Sequence, residues 1–235
     1  MYSYNDRVSY SRIDKDGLLG VSRVVDAMQD CCLFHTEDDG TPAMELRERG
    51  RAWFVNAWHV VLKRRPAMGE RFTVHTWPYK FKGIFGFRNF LMESPDHEVL
   101  AYADSCWFYM DLVNNKPAAI DQSEIDAYPI EPAYDMEYTS RKVPVPENLK
   151  EIDQIRVCEN YLDTNHHLNN GQYVRLAVNE LPEGYDVSEF RAEFALAARM
   201  NDILHVKTAE KDGCFYVVFT TDEGKPYFIG EFKSF

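Results

Sequence analysis

Asp163, Asn165, His167, Asn169 and Asn170 lie in one short run, Asp163-Thr164-Asn165-His166-His167-Leu168-Asn169-Asn170, and Tyr173, Leu176, Ala177, Glu180 and Leu181 follow at helical spacing. A carboxylate, amides and imidazoles are thereby set just before the first turn of a helix. Unpaired N–H groups and the positive end of the helix dipole favour negative charge there. Proton-transfer groups beside a seat for an oxyanion suit acyl transfer to water. Taken alone, the same run also reads as an Asx-rich turn that caps a helix. It is a poor metal site, because the adjacent His166 and His167 point apart and neither an HxxxH spacing nor a nearby Cys completes a ligand set.

A faded copy of this run stands near the N-terminus. Asp14-Lys15-Asp16-Gly17-Leu18-Leu19-Gly20-Val21 leads into Val24, Val25, Met28, Cys31 and Cys32 at helical spacing, with Asp14 and Asp163 separated by 149 positions. Further on, Arg65 to Thr76 matches Ala197 to Thr208 at a separation of 132, and Met, Val and Thr recur in register. Two alignments in the same order predict duplication of one helix-plus-strands unit with a change of loop length inside it. The first copy has Asp16, Gly17 and Leu18 where the second has Asn165, His166 and His167. One half therefore keeps the chemistry while the other serves as scaffold or binding surface.

The elements that position these residues follow from periodicity and turn residues. A strand is expected over Arg7 to Ile13, a helix over Val21 to Thr36 broken by Gly40-Thr41-Pro42, and a short helical piece at Glu45 to Glu48. Alternating runs at Trp53 to Leu62, Arg71 to Trp77, Gly86 to Glu93 and Val99 to Leu112 read as antiparallel strands. Tyr128 to Leu149 carries Pro129, Pro132, Pro144 and Pro146 and reads as an extended linker. The second half repeats the order, with a strand from Glu151 to Leu162, the helix to Leu181 and four more strands to Lys233. The expected organisation is a first repeat over residues 1–128, a Pro-rich linker over 129–150 and a second repeat over 151–235, each repeat α+β with a long helix facing an antiparallel sheet.

Composition narrows the function. The chain has 235 residues, 45% of them hydrophobic, and no run long enough for a membrane span; its first residues show neither a signal nor a transit peptide, so a cytoplasmic protein is expected. A formal charge of −12 argues against nucleic-acid or anionic-membrane binding, and an acidic partner would need a local basic patch. Lys63-Arg64-Arg65, Lys80 with Lys82 and Arg88, and Arg141-Lys142 are the candidates. Five cysteines without a CxxC pair argue against a disulfide framework or a structural zinc. His35, beside Glu37, Asp38 and Asp39 at a helix end, reads as a favourable dipole and charge arrangement rather than as a second site.

The chain resembles the acyl-acyl carrier protein (acyl-ACP) thioesterases of bacteria and plant plastids. The resemblance rests on Asp163-x-Asn165-x-His167-x-Asn169-Asn170-x-x-Tyr173, which is similar to that family's catalytic-loop signature. Tyr10, Asp14, Gly17, Gln29 and His35, with Ala52-Trp53, Arg65-Pro66, Gly69-Glu70 and Thr76-Trp77-Pro78, are similar to its N-terminal part. The likeness runs from about Arg7 to Phe232. It implies a double hotdog fold and hydrolysis of the thioester between a fatty acyl chain and the phosphopantetheine arm of acyl carrier protein, which ends chain elongation in fatty acid biosynthesis. It implies no cofactor and no metal.

Carried over by position, the catalytic set is Asp163, Asn165 and His167, with the helix-start amides near Asn169 and Asn170 binding the thioester carbonyl. His167 would activate water or move a proton, Asn165 orient a reacting group, and Asp163 act as base or charge stabiliser. The plant enzymes carry a Glu-Cys pair where this chain has Ala197-Ala198, so no cysteine nucleophile carries over, and Glu193 is the nearest substitute on that strand. The first repeat is the expected acyl groove, where each buried methylene contributes about 0.8 kcal/mol. Acyl-CoA hydrolysis is the close alternative, a non-catalytic acyl-binding protein is another, and sheet edges leave a homodimer open.

Overall fold

Val21, Val24, Val25, Met28, Cys31 and Cys32 recur every three or four residues and form the buried stripe of the first long helix, α1 (Val21–Asp39). The computed structural model describes residues 1–235, which divide into two compact units, one made of Met1–Asn56 and Leu62–Thr139, the other of Ala57–Val61 and Ser140–Phe235. No helix is long and apolar enough to cross a membrane.

In the first unit β1 (Tyr2–Arg7) precedes α1, and α2 (Ala43–Glu48) follows it. The strands β2 (Arg51–Leu62), β3 (Arg71–Lys82), β4 (Phe85–Glu93), β5 (Val99–Asp111) and β6 (Lys116–Pro117) come next, then α3 (Gln122–Ala127). The strand order is β1-β3-β4-β5-β2, with β6 on β5. Alternation places Phe72, Val74 and Thr76 of β3 with Phe90 and Met92 of β4 and Ala101 and Ala103 of β5 on one buried face, in the registers Thr76↔Phe90↔Ala103. The Cys31 thiol of α1 donates to Val74 O at 3.3 Å. Gly40, just past the helix, is required by a close approach, since a Cβ there would lie 2.0 Å from the Tyr128 hydroxyl.

The second unit repeats the plan with β7 (Lys150–Arg156), α4 (Asn170–Asn179), β8 (Val187–Phe194), β9 (Ile203–Lys211), β10 (Cys214–Thr220) and β11 (Pro226–Ser234). Its order is β8-β11-β10-β9-β7, and Ala57–Val61 of β2 pair with β8 at the other edge. The α4-facing side is aromatic. Tyr173 stacks on Phe228 at 5.7 Å and 8° and meets Phe194 edge-on at 5.8 Å. The opposite face buries Ala209, Tyr216, Val218 and Ile229 under Val143 of the linker.

The helices differ in length, 19 residues for α1 against 10 for α4, and that surplus together with α2 accounts for most of the drop in separation from 149 to 132. The strand expected over Arg7 to Ile13 is corrected by the structure: β1 ends at Arg7, and Tyr10–Arg12 form a 3-10 turn closed by the Arg12 N–H on Ser9 O at 3.0 Å. Tyr10, an apolar residue of the expected strand, is 81% exposed. The strand expected from Glu151 likewise stops at Arg156, before the turn Glu159–Tyr161. Residues 129–149 carry no helix or strand and are tied down at intervals, for instance by Trp77 Nε1 donating to Pro132 O at 2.9 Å.

Candidate active site

The run Asp163 to Asn170 folds into a tight loop because its own backbone closes it. Asp163 N–H donates to His167 O at 2.8 Å and His166 N–H to Asp163 O at 3.0 Å, with His166 in the left-handed region at φ 58. Asp163 then fills the loop from within: Oδ1 accepts from the N–H of Asn165 at 2.7 Å and of His167 at 3.1 Å, and Oδ2 accepts from Asn165 Nδ2 at 3.4 Å. Asn169 is the N-cap of α4, its side chain accepting from Gly171 N at 2.8 Å. The Asx-turn and cap reading of the sequence is thus correct for the backbone, and these same bonds orient the loop's polar side chains.

Asp163, Asn165 and His167 alternate along the loop and are half-buried, whereas Thr164 and His166 between them are exposed. The three expected residues thus share one tight turn and are each partly buried, and His166 is exposed. Asn169 N–H is taken by Tyr161 O at 2.9 Å and Gly171 N–H by the cap. Asn170 supplies the amide at the start of the helix.

The loop is held to the sheet through Ala198. Leu168 N–H donates to Ala198 O at 2.8 Å, His167 bridges to Arg199, and Ala198 N–H donates to the Tyr173 hydroxyl at 2.9 Å, which donates to Leu196 O at 3.4 Å. Tyr173 is 2% exposed and burial pushes its phenol well above the usual range, so it stays a neutral donor. Its positioning part was not visible from sequence, where it reads as one more apolar residue of the helix ladder.

The N-terminal copy reproduces this frame bond for bond. Asp14 N–H donates to Leu18 O at 2.9 Å, Gly17 N–H to Asp14 O at 3.0 Å with φ 79, and Leu19 N–H to Pro66 O at 2.8 Å. Leu18 bridges Ala67 as His167 bridges Arg199. Duplication is written in these backbone partners, at both separations read from the sequence. The side chains differ. Arg65 donates to Asp14 Oδ2 at 3.2 Å and to Leu19 O at 3.3 Å and pairs with Asp16, while the matching position in the second copy is Ala197.

Other candidates resolve differently. Glu193 is 1% exposed, and its oxygens accept from Lys142 Nζ and from Val143 N at 3.0 Å, so it anchors the linker. His35 is not a charged residue at a helix end: Arg88 donates to its Nδ1 at 2.9 Å, and burial, then the guanidinium, lower its pKa from 6.5 to about 4. Among the basic candidates, Arg64 pairs with Glu70 and Glu98, Arg65 with Asp14 and Asp16, and Lys142 with Glu193; Arg88 is buried. Cys31, Cys32 and Cys106 are buried thiols, and all five cysteines are free.

Known proteins carry the same architecture. An acyl-ACP thioesterase from Bacteroides thetaiotaomicron matches with a TM-score of 0.89 at 22% identity, over 98% of this chain and 96% of that one. The 12:0-ACP thioesterase from Umbellularia californica matches with 0.85 at 20% identity, over 99% and 96%. At such identities the likeness establishes the fold, a double hotdog. A chloroplastic acyl-[acyl-carrier-protein] hydrolase from Cuphea viscosissima is 27% identical over 199 residues, 77% of this chain and 47% of its own length. The chain spans about half the length of the curated relatives it matches. The family model for the acyl-ACP thioesterase N-terminal domain matches residues 1–128, more than half of the sequence, and the chain belongs to the acyl-ACP thioesterase family.

Proposed function

We propose that the protein hydrolyses the thioester of fatty acyl-ACP, releasing free fatty acid and the carrier-protein thiol. The observation that supports this reading is the turn before α4 in which Asp163 Oδ1 accepts from the N–H groups of Asn165 and His167, while its backbone twin, at Asp14, carries neither an imidazole nor a side-chain amide. Water oxygen adds to the acyl carbon and the C–S bond breaks. His167 and Asp163 take a proton from the water and return it to the departing sulfur, while Asn165 orients the reacting group. A positioned proton-transfer group is worth about 10²–10⁴-fold in rate. The Asn170 amide, at the positive end of α4, faces the charge developing on the carbonyl oxygen, and one such donor contributes roughly 3–4 kcal/mol.

Acyl-CoA is the second reading, because several cations that would greet an acidic carrier protein are paired within the chain, at Arg64, Arg65 and Lys142. The two substrates share the pantetheine arm and differ beyond it. Release of fatty acid from matched ACP and CoA thioesters over a series of chain lengths separates them: a higher kcat/KM for the ACP series supports the proposal, and a higher value for CoA moves the assignment to the second reading.

A further inference from the structure

The linker meets the same row of strand residues in each unit, and the row ends in a carboxylate both times. In the first unit the row is Trp77↔Asn89↔Asp104, on β3, β4 and β5. In the second it is Ala209↔Tyr216↔Glu231, on β9, β10 and β11, with Ala209 standing 132 residues after Trp77. Residues facing each other across paired strands share a face. Two members of the first row hold the linker: Trp77 Nε1 donates to Pro132 O at 2.9 Å, and Asn89 Oδ1 accepts from Tyr134 N–H at 3.1 Å and from the Tyr138 hydroxyl at 2.9 Å. Residues 132–138 thus form a strap. The third member, Asp104, is partly buried and accepts from the Tyr79 hydroxyl at 3.0 Å and from Ser105 N–H, and the Tyr79 ring packs on Tyr138 at 5.4 Å.

The two carboxylates are kept differently. Glu231 accepts from the Tyr216 hydroxyl at 2.9 Å and pairs at 3.5 Å with Arg191, which also donates to Ser140 O and Lys142 O at 2.8 Å, so one cation ties carboxylate and linker together. Asp104 has the phenol and no cation. The groups around it are Tyr79 of β3, Asn89 of β4, Cys106 of its own strand, and Tyr138 and Asp135 of the strap. Lys80 lies beyond Tyr79, over the Phe87 ring at 5.8 Å, and no charged group of the neighbouring β2 acts on Asp104. Burial without a cation pushes its carboxyl from 3.8 up to about 7.

We propose that Asp104 is a proton-operated latch on the strap of residues 132–138: with its carboxyl protonated the strap lies closed over the row Trp77–Asn89–Asp104, and loss of the proton loosens it. An ionised carboxylate there has two donors and no cation, so its charge favours the state in which the strap is lifted and water reaches it. The closed state holds the proton up to about pH 7, and the lifted state, with an ordinary carboxyl, only to about 3.8. The closed state therefore loses ground as pH rises between those values, and the balance is level above 7. The strap yields before the strands part, so the charge is read in the strap. The second unit carries the fixed version, with Arg191 beside its carboxylate.

The latch is independent of the thioesterase reading and is tested without substrate. Hydrogen exchange of the Tyr134 amide, which Asn89 holds, reports lifting of the strap in the full chain between pH 5 and 8. Asp104→Asn keeps an oxygen for Tyr79 and cannot ionise, and the ratio of wild type to variant at each pH cancels the intrinsic exchange rate and the titration of His35. The expected ratio grows about tenfold per pH unit from 5 to 7 and is level above 7. Tyr138→Phe, which loses a bond to Asn89, exchanges faster than wild type at every pH with the same dependence. A ratio that does not change with pH overturns the latch. So does a wild-type Asp104 carboxyl carbon whose NMR shift titrates near 3.8, a result that needs no variant to fold.

Discussion

Asp163 shapes its loop and is proposed to act in the reaction, and one pair of substitutions separates the two. Its Oδ1 accepts the N–H groups of Asn165 and His167, at 2.7 and 3.1 Å, which shapes the loop; its charge is the part assigned to the reaction. Asp163→Asn leaves a carbonyl oxygen to accept both bonds. Hydrogen bonds to a charged group contribute about 1.5–3 kcal/mol and neutral ones about 0.5–1.5, so the Asn variant loses on the order of 1 kcal/mol in this half-buried setting. Asp163→Ala leaves both amides without their acceptor and costs about 2 kcal/mol. For a chain of this length each kcal/mol moves Tm by about 2–4 °C. Both variants should lose about 10²–10⁴-fold in kcat, although the Asn variant is nearly as stable as the wild type. Thermal unfolding and steady-state release of fatty acid are the assays. A stable Asp163→Asn enzyme with turnover within about fivefold of wild type would show that the carboxylate only shapes the loop, and would refute its role in the reaction.

Tyr173→Phe deprives the buried Ala198 N–H of its acceptor, which should cost about 1–3 kcal/mol, lower Tm by several degrees and slow turnover by loosening the loop's tie to Ala198; an unchanged Tm would contradict this. Glu193→Gln should keep kcat within about twofold while lowering Tm, because Glu193 holds Lys142 and Val143; a large loss of kcat at constant Tm would return Glu193 to the site. The pKa of His35 is lowered in the folded state from 6.5 to about 4, so unfolded chains bind the proton first: its stabilising effect is complete above pH 6.5 and is lost as pH falls towards 4, by up to about 3 kcal/mol. Urea titrations between those pH values should show that slope, and His35→Gln, which keeps an acceptor for Arg88, should flatten it.

The Asx-rich turn before α4 and the duplication were legible because both depend on local rules. Asx residues before a helix, and Met, Val and Thr in register, are written in the chain itself. The 3-10 turns at Tyr10–Arg12 and Glu159–Tyr161 were hidden, since each closely follows a strand and carries no Gly or Pro to mark its end. Tyr173, Arg65 and His35 were misread or passed over for another reason. What Tyr173 does depends on the Ala198 amide, what Arg65 does on Asp14 and Asp16, and the state of His35 on Arg88, partners 25 to 53 residues away in sequence. The comparison of residue 65 with residue 197 was available from the 132-residue separation, and only the shared backbone bonds give it meaning.

Hydrolysis of acyl-ACP is assigned, as a proposal, to the loop from Asp163 to Asn170. The most direct measurement is fatty acid release from purified acyl-ACP by the wild type and by His167→Ala side by side, with thermal unfolding of both. The expected result is turnover by the wild type and a loss of about 10²–10⁴-fold in the variant at nearly equal Tm. Equal turnover by the two proteins, or none from any acyl-ACP by the wild type, would contradict it.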